Sequence, residues 1–438
     1  MIKKWGLIWF GMIILSWGLI ACSGGESDNS SNVEGESEVK LNFVHWVNED
    51  VGKWEQLINE YEAENPGVKI ESTPLVENMD TASYYKQLDL LASAGEKLDV
   101  VMFSTAYDLA KRVDAGLMAP INSFLDEEGI DINQTYKNSY SPIDGQYYGL
   151  PMKNVTTLVM LNKEHLDEAG LEIPTDWTWE DYKDYAKAMT TDEHYGSYLH
   201  SWHDVHSSLK LQGSKENNNL LKADGTSNTE NPLVKESLKL RYQLEEVDKS
   251  SVPYSDILSQ KLNYRQQFFT GEASMIPIAS YMVTEWGSFT PDFEIAWAPW
   301  PKNNSDSEIY AGMGGDLIGI AESSEHKQEA YDFIRWMSTE GISDQGLWVP
   351  SWTEADLEKT LKKLVESTPK PEAIDMESLL YTLEVTNPTE TFAPPSYYAE
   401  VIKEFSAEVE RYLLGEQDID TTMENIHKRV QAVIGSNK

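Results

Sequence analysis

Apolar and polar residues alternate along Lys40–Trp46 (KLNFVHW), the two-residue period of a strand with one buried face. The period then changes. In Gly52–Glu64 (GKWEQLINEYEAE), Trp54, Leu57, Ile58 and Tyr61 recur at the three- and four-residue spacing of an amphipathic helix. Asn65-Pro66-Gly67 ends that helix, because proline offers no backbone donor and glycine admits a sharp turn. Val68–Ser72 restarts a strand, Tyr84–Ala94 reads as a helix, and Leu98–Phe103 (LDVVMF) is a short apolar run of the buried-strand type. This strand–helix–strand–helix–strand order predicts an α/β fold with a mainly parallel sheet covered by helices. Ligands meet such sheets at the loops beyond the carboxyl ends of strands. Three loops fit that description: His45–Asp50, Ser104–Asp108 and Met152–Thr157.

The first 22 residues carry a different pattern. Lys3 and Lys4 precede an almost unbroken apolar run, Trp5–Ala21, the layout of a secretory signal peptide. Length alone would also permit a membrane span. The end of the run decides between them: Leu19-Ile20-Ala21-Cys22 resembles a bacterial lipobox, in which the signal is removed before a cysteine that then carries lipid. Cys22 is the only cysteine, so no intrachain disulfide competes for it. Residues 23–39, rich in Ser, Gly and Glu, read as a flexible tether. The expected location is the outer face of the cell membrane, with Cys22 as the lipidation site and membrane contact through the lipid.

Charge narrows the partners. The chain of 438 residues carries 35 basic and 73 acidic side chains, a formal charge of −38, which repels nucleic acid. With 40% hydrophobic residues, the remaining length exceeds what one ordinary core holds, so two lobes are expected.

Five ordered blocks carry a resemblance. They are Phe43–Trp46 with its helix and "ENPGVKI"; Leu98–Leu125 (LDVVMFSTAYDLAKRVDAGLMAPINSFL); Ile143–Ala169 (IDGQYYGLPMKNVTTLVMLNKEHLDEA), running on into "PTDWTWEDYKDYAKAM"; Phe268–Met275 (FFTGEASM); and Gly312–Met337. Together they resemble extracellular solute-binding proteins of the family that includes the maltodextrin- and multiple-sugar-binding proteins of ABC importers. The resemblance implies a two-lobed α/β fold of the periplasmic-binding-protein type II, with a multi-strand hinge that closes on ligand. It also implies no catalysis, no cofactor, a monomer, and delivery of an oligosaccharide to ABC permease subunits. Crossovers are then expected near Met152–Thr157, Pro301–Gly314 and Leu347–Ser351. One lobe would take residues 40–152 and 312–346, the other 153–311 and 347–438.

A sugar presents hydroxyls and apolar C–H faces, which call for polar side chains set among aromatic rings. His45 and Trp46 end the first strand. Tyr107 and Asp108 lie where the resemblance puts a sugar-contacting ring and carboxylate; a helix N-cap for a helix beginning at Leu109 explains Asp108 as well. Lys153 and Asn154 follow "YGLP" at the expected hinge. Tyr281 aligns with a family aromatic, and Trp286 lies a helical turn further on. Gly315 and Asp316 follow the second crossover, where glycine allows close backbone approach to ligand or simply a tight turn. Tyr398 opens the last helices. In "HSWHDVH", Trp202 and His203 are candidate contacts, and His200, His203 and His206 lack the further ligand that zinc requires. Two alternatives stay open: the same fold binding an acidic saccharide, paired by Lys153 or Arg265, or another small polar solute; and a surface glycan hydrolase or adhesin. No GxSxG, HExxH or phosphate-loop segment supports an enzyme.

Overall fold

The computed structural model describes residues 38–77, 80–138, 140–390 and 394–437. Cys22, the signal segment and most of the tether lie outside them. Among the described residues no helix is long and apolar enough to cross a membrane.

Two sheets organise the two lobes. In the first, β1 (Val39–His45) pairs in parallel with β2 (Val68–Pro74) and with β3 (Val100–Phe103). The helices Trp54–Glu64 and Thr81–Ala94 supply the crossovers that parallel pairing requires. Lys53, in the left-handed region at φ 51°, separates the first of these from a short turn of helix, Glu49–Gly52, so the predicted helix from Gly52 is two pieces. In the second sheet, β5 (Val155–Asn162) runs between β6 (Met275–Ala279) and β7 (Ile295–Pro299), antiparallel to both.

The expectation of a mainly parallel sheet therefore holds only for β1–β3. The first sheet is completed by β4 (Leu150–Pro151) and β10 (Leu317–Ile320), in the order β2-β1-β3-β10-β4, and β10 is antiparallel to both its neighbours. The reason is connectivity. The chain leaves this sheet after β4, builds the second, and re-enters from the opposite direction. Two further short strands, β8 (Tyr310–Ala311) and β9 (Met313–Gly314), lie on the way back, and β9 pairs with β5.

The apolar core divides the same way. One cluster draws on residues 41–152 and 317–348, around Trp54, Tyr84 and Phe333. Three others draw on residues 158–311 and 349–434, around Trp286, Trp179 and Phe405. Between the sheets the chain passes three times, and the three segments are bonded side by side. Met152 N and Asn154 N donate to Asp316 O and Val349 O, both at 2.8 Å, and Ser351 N donates to Met152 O at 2.9 Å.

Candidate functional site

A cavity of about 360 Å³ opens between the lobes at the carboxyl end of β3. The helix Ala106–Asp114 brings Tyr107 and Asp108 to it from the first lobe. Its N-cap is Thr105, not Asp108, which sits a turn inside. Thr105 Oγ1 accepts from Asp108 N at 3.1 Å and donates to Asp108 Oδ2 at 2.7 Å. Ser104 Oγ donates to the same oxygen at 3.0 Å, and Arg112 Nη1 stands 3.7 Å from Oδ1. The Asp108 carboxylate is thus fixed in orientation from behind. Asn138, Tyr140, Gly314 and Gly315 complete this wall.

The second lobe contributes Asp204, Asn219 and Tyr398. Asp204 sits in the short helix His203–His206, and Arg241 holds the segments on either side of it, donating to Leu199 O, His200 O and Ser207 Oγ, each at 3.0 Å. Arg241 is itself paired with Glu245 Oε1 at 2.7 Å, both fully buried. Tyr398 opens the helix Tyr398–Leu413. A bond spans the cleft: Tyr107 Oη donates to Ser396 O at 3.0 Å. Burial, and then the Asp108 carboxylate beside it, raise the Tyr107 pKa; burial also raises that of Asp204.

The sequence candidates fall into three places. Tyr107, Asp108, Gly315 and Tyr398 line the cavity. Lys153, Asn154, Tyr281 and Asp316 gather instead at the crossing between the lobes, where the space left is about 10 Å³ beside the first three of them. There Lys153 Nζ lies 3.4 Å from Glu285 Oε1 and 4.9 Å over the Trp348 ring, and Arg265 Nη2 lies 3.6 Å from Glu285 Oε2. Asp316 is buried, and burial lifts its carboxyl to about 6 against the pull of Lys153. Gly315 is explained by chain packing: at φ 135° a Cβ would lie 1.9 Å from the Lys153 carbonyl oxygen.

The remaining candidates pack within their lobes. His45 is fully buried between the rings of Phe43 and Trp54, bonded to Ser72 Oγ at 2.8 Å, and burial lowers its pKa to about 4. Trp46 packs on Tyr84, and Trp286 on Phe269 with its indole N–H donated to Met282 O. His203 is buried against Ser207 and Tyr254. Trp202 is 42% exposed beside His200 and Tyr264 and is not part of the cavity lining. Only His203–His206 of the histidine stretch is helical, so His200 does not share a helix face with the other two. Among the described residues no group of three His, Cys, Asp or Glu is placed to hold a metal ion.

Sequence reasoning passed over Asn138, Tyr140, Asp204 and Asn219. Asp204 stands inside the "HSWHDVH" stretch, where the tryptophan and histidines are the more conspicuous candidates.

This arrangement, two sheets joined by three crossings around a cavity, agrees with the chain's relatives. Residues 47–343 match the bacterial extracellular solute-binding protein family. The chain belongs to this family. It is therefore a binding protein rather than an enzyme, which retires the hydrolase alternative. It is similar to the arabinooligosaccharide-binding protein of Halalkalibacterium halodurans, 24% identical over 215 residues, 47% of this chain and 46% of that one, so the match spans about half of that relative's length. It is similar also to the multiple sugar-binding protein of Streptococcus mutans, 22% identical over 77% of this chain and 79% of that one. Among solved structures, the ABC substrate-binding protein of Listeria monocytogenes in complex with cycloalternan shares the fold, with a TM-score of 0.70 at 18% identity over 91% of this chain and all of the other.

Proposed function

We propose that this chain is the substrate-binding subunit of an ABC importer, that it captures an oligosaccharide between its lobes, and that it is held at the membrane by lipid on Cys22. The observation that carries the reading is the cavity itself: three tyrosines, two asparagines and two carboxylates drawn from both lobes around about 360 Å³. That combination suits a polyhydroxyl ligand with apolar faces, and the volume lies within the ~300–1,000 Å³ usual for small-molecule sites. Relatives named for arabinooligosaccharide and multiple-sugar binding support the cargo. The lipobox-like run before Cys22 supports the anchor.

The mechanism comes from the two walls. A saccharide touching Asp108 on one side and Tyr398 on the other gains both sets of contacts only when the lobes are together, so it shifts the population toward the closed form. The closed form is what the permease would receive. The test is a thermal-shift titration of the chain from residue 23 onward against arabino-, malto- and xylo-oligosaccharides. A 100-fold excess over Kd stabilises by ~2.7 kcal/mol. A flat melting temperature across the panel would sink the saccharide assignment. For the anchor, mass spectrometry of the Cys22 peptide from membranes should find acyl chains, and Cys22→Ser should abolish them and leave the segment before residue 22 uncleaved.

A further inference from the structure

The cavity has a one-sided electrostatic character. Its two ionisable side chains other than tyrosine are Asp108 from the first lobe and Asp204 from the second, and among the described residues no lysine, arginine or histidine lines it. The two carboxylates differ in what surrounds them. Asp108 has Arg112 at 3.7 Å, a guanidinium it shares with Asp89 at 2.9 Å. Asp204 has no cation in an ion pair with it among the described residues. Burial raises its pKa. The two cations the sequence offered for an acidic ligand are committed elsewhere. Lys153 and Arg265 both face Glu285 at the crossing, and neither reaches the cavity.

We propose that the cleft discriminates by charge: it admits uncharged saccharides, rejects those bearing a carboxylate or phosphate, and has Asp204 as the residue that sets this selectivity. The physical basis is that an anion entering the closed cleft loses its water and meets two carboxylates, while the one cation paired with either of them, Arg112 beside Asp108, does not line the cavity among the described residues. A neutral saccharide instead donates hydroxyls to the lone pairs that Asp204 leaves open. Asp204 should matter more than Asp108, because the potential at Asp108 is already moderated by Arg112. This assignment rests on the saccharide reading and sharpens it.

Isothermal titration with matched trisaccharide pairs decides the matter. Arabinotriose, maltotriose and xylotriose would each be compared with a counterpart carrying one uronic-acid carboxylate, on the wild-type chain and on Asp204→Asn. Asparagine keeps the size and a carbonyl acceptor while removing the charge, and Asp204→Ser serves as a second variant. The expected result is that one neutral trisaccharide binds and its acidic counterpart binds at least about tenfold more weakly. In Asp204→Asn that gap should narrow severalfold, while Asp108→Asn narrows it less. Equal or tighter binding of the acidic member by the wild type overturns the charge rule and leaves the saccharide reading standing. A gap unchanged in both Asp204 variants, with ligand-free melting temperatures near wild type, removes Asp204 from the role. Silence from every saccharide, neutral and acidic, overturns the saccharide reading and this rule with it.

Discussion

The cavity and the crossing lie side by side and are built on opposite terms. Around the cavity the carboxylates outnumber the cations and space remains open. At the crossing, Lys153, Arg265, Glu285 and Asp316 balance one another around Trp348, and almost no space is left. Side chains of the same chemical types thus serve two purposes. An open, uncompensated group is available to a ligand, whereas a packed and paired group fixes how two bodies join. The contrast teaches that a polar residue in a cleft-bearing segment is assigned by its partners and its room.

That comparison breaks most severely at Gly315, which borders both regions. Gly315→Ala should destabilise the protein by roughly 3–5 kcal/mol, because the new Cβ meets the Lys153 carbonyl at a φ alanine resists. Urea denaturation would read this; a loss under about 1 kcal/mol would mean that the crossing gives way easily.

Asn138 comes next. Its amide nitrogen donates to Lys153 O at 3.0 Å and Gly314 O at 2.6 Å, and its amide oxygen accepts from Ser351 Oγ. One side chain therefore ties together all three passages of the chain while facing the cavity. Asn138→Ala leaves those buried groups without their partner and should lower stability by about 2–4 kcal/mol. It should also broaden the distribution of inter-lobe distances in the ligand-free protein, measured between spin labels on the two lobes. A narrow, unchanged distribution would separate Asn138 from lobe geometry.

Asp316 gives a pH-dependent effect of smaller size. An aspartate ionises near 3.8 when exposed and near about 6 here, so the folded protein holds this proton more tightly between those values. Stability from this group is greatest below about pH 4 and falls as pH rises toward about 6. Asp316→Asn, which never ionises, should be more stable than the wild type by about 1–3 kcal/mol near pH 7.5, with the advantage fading by about pH 4.5. The buried His45, with its pKa lowered from 6.5 to about 4, works the other way: it adds stability above pH 6.5 that is lost as pH falls toward 4. Because His45 is present in both proteins, comparing the two denaturation series cancels its contribution. A constant difference across pH would show Asp316 ionised throughout.

The smallest effect belongs to the cavity side. Tyr107→Phe removes the bond across the cleft to Ser396 and should weaken saccharide binding by about 0.5–1.5 kcal/mol, up to roughly tenfold, with the melting temperature of the free protein held. A loss of stability with affinity intact would place Tyr107 among the crossing's structural groups.

Much of the architecture was legible along the chain. The two-residue period of Lys40–Trp46 became β1, the helical period through Tyr61 became the helix Trp54–Glu64, and the apolar run ending at Phe103 became β3. These are local properties, set by which face of each element must leave water, and a local reading suffices. The site was legible in part. Tyr107, Asp108, Gly315 and Tyr398 come together as lining of one cavity, while His45, Trp46, His203 and Trp286 serve the core. Aromatic rings and imidazoles suit a sugar and a protein interior equally well, so type and position near a strand end could not divide them.

The sequence alone thus determined the α/β periodicity, the acidic surface and the membership in a family of binding proteins. Tertiary structure alone decided the antiparallel return of β10, the burial of His45, and the division of charged residues between a paired crossing and an Asp204 without an ion pair among the described residues. The physical reason is that periodicity records only whether a side chain leaves water. Whether a charge finds a counter-charge depends on residues as far apart in the chain as Lys153 and Glu285, and only the folded chain brings them within ångströms.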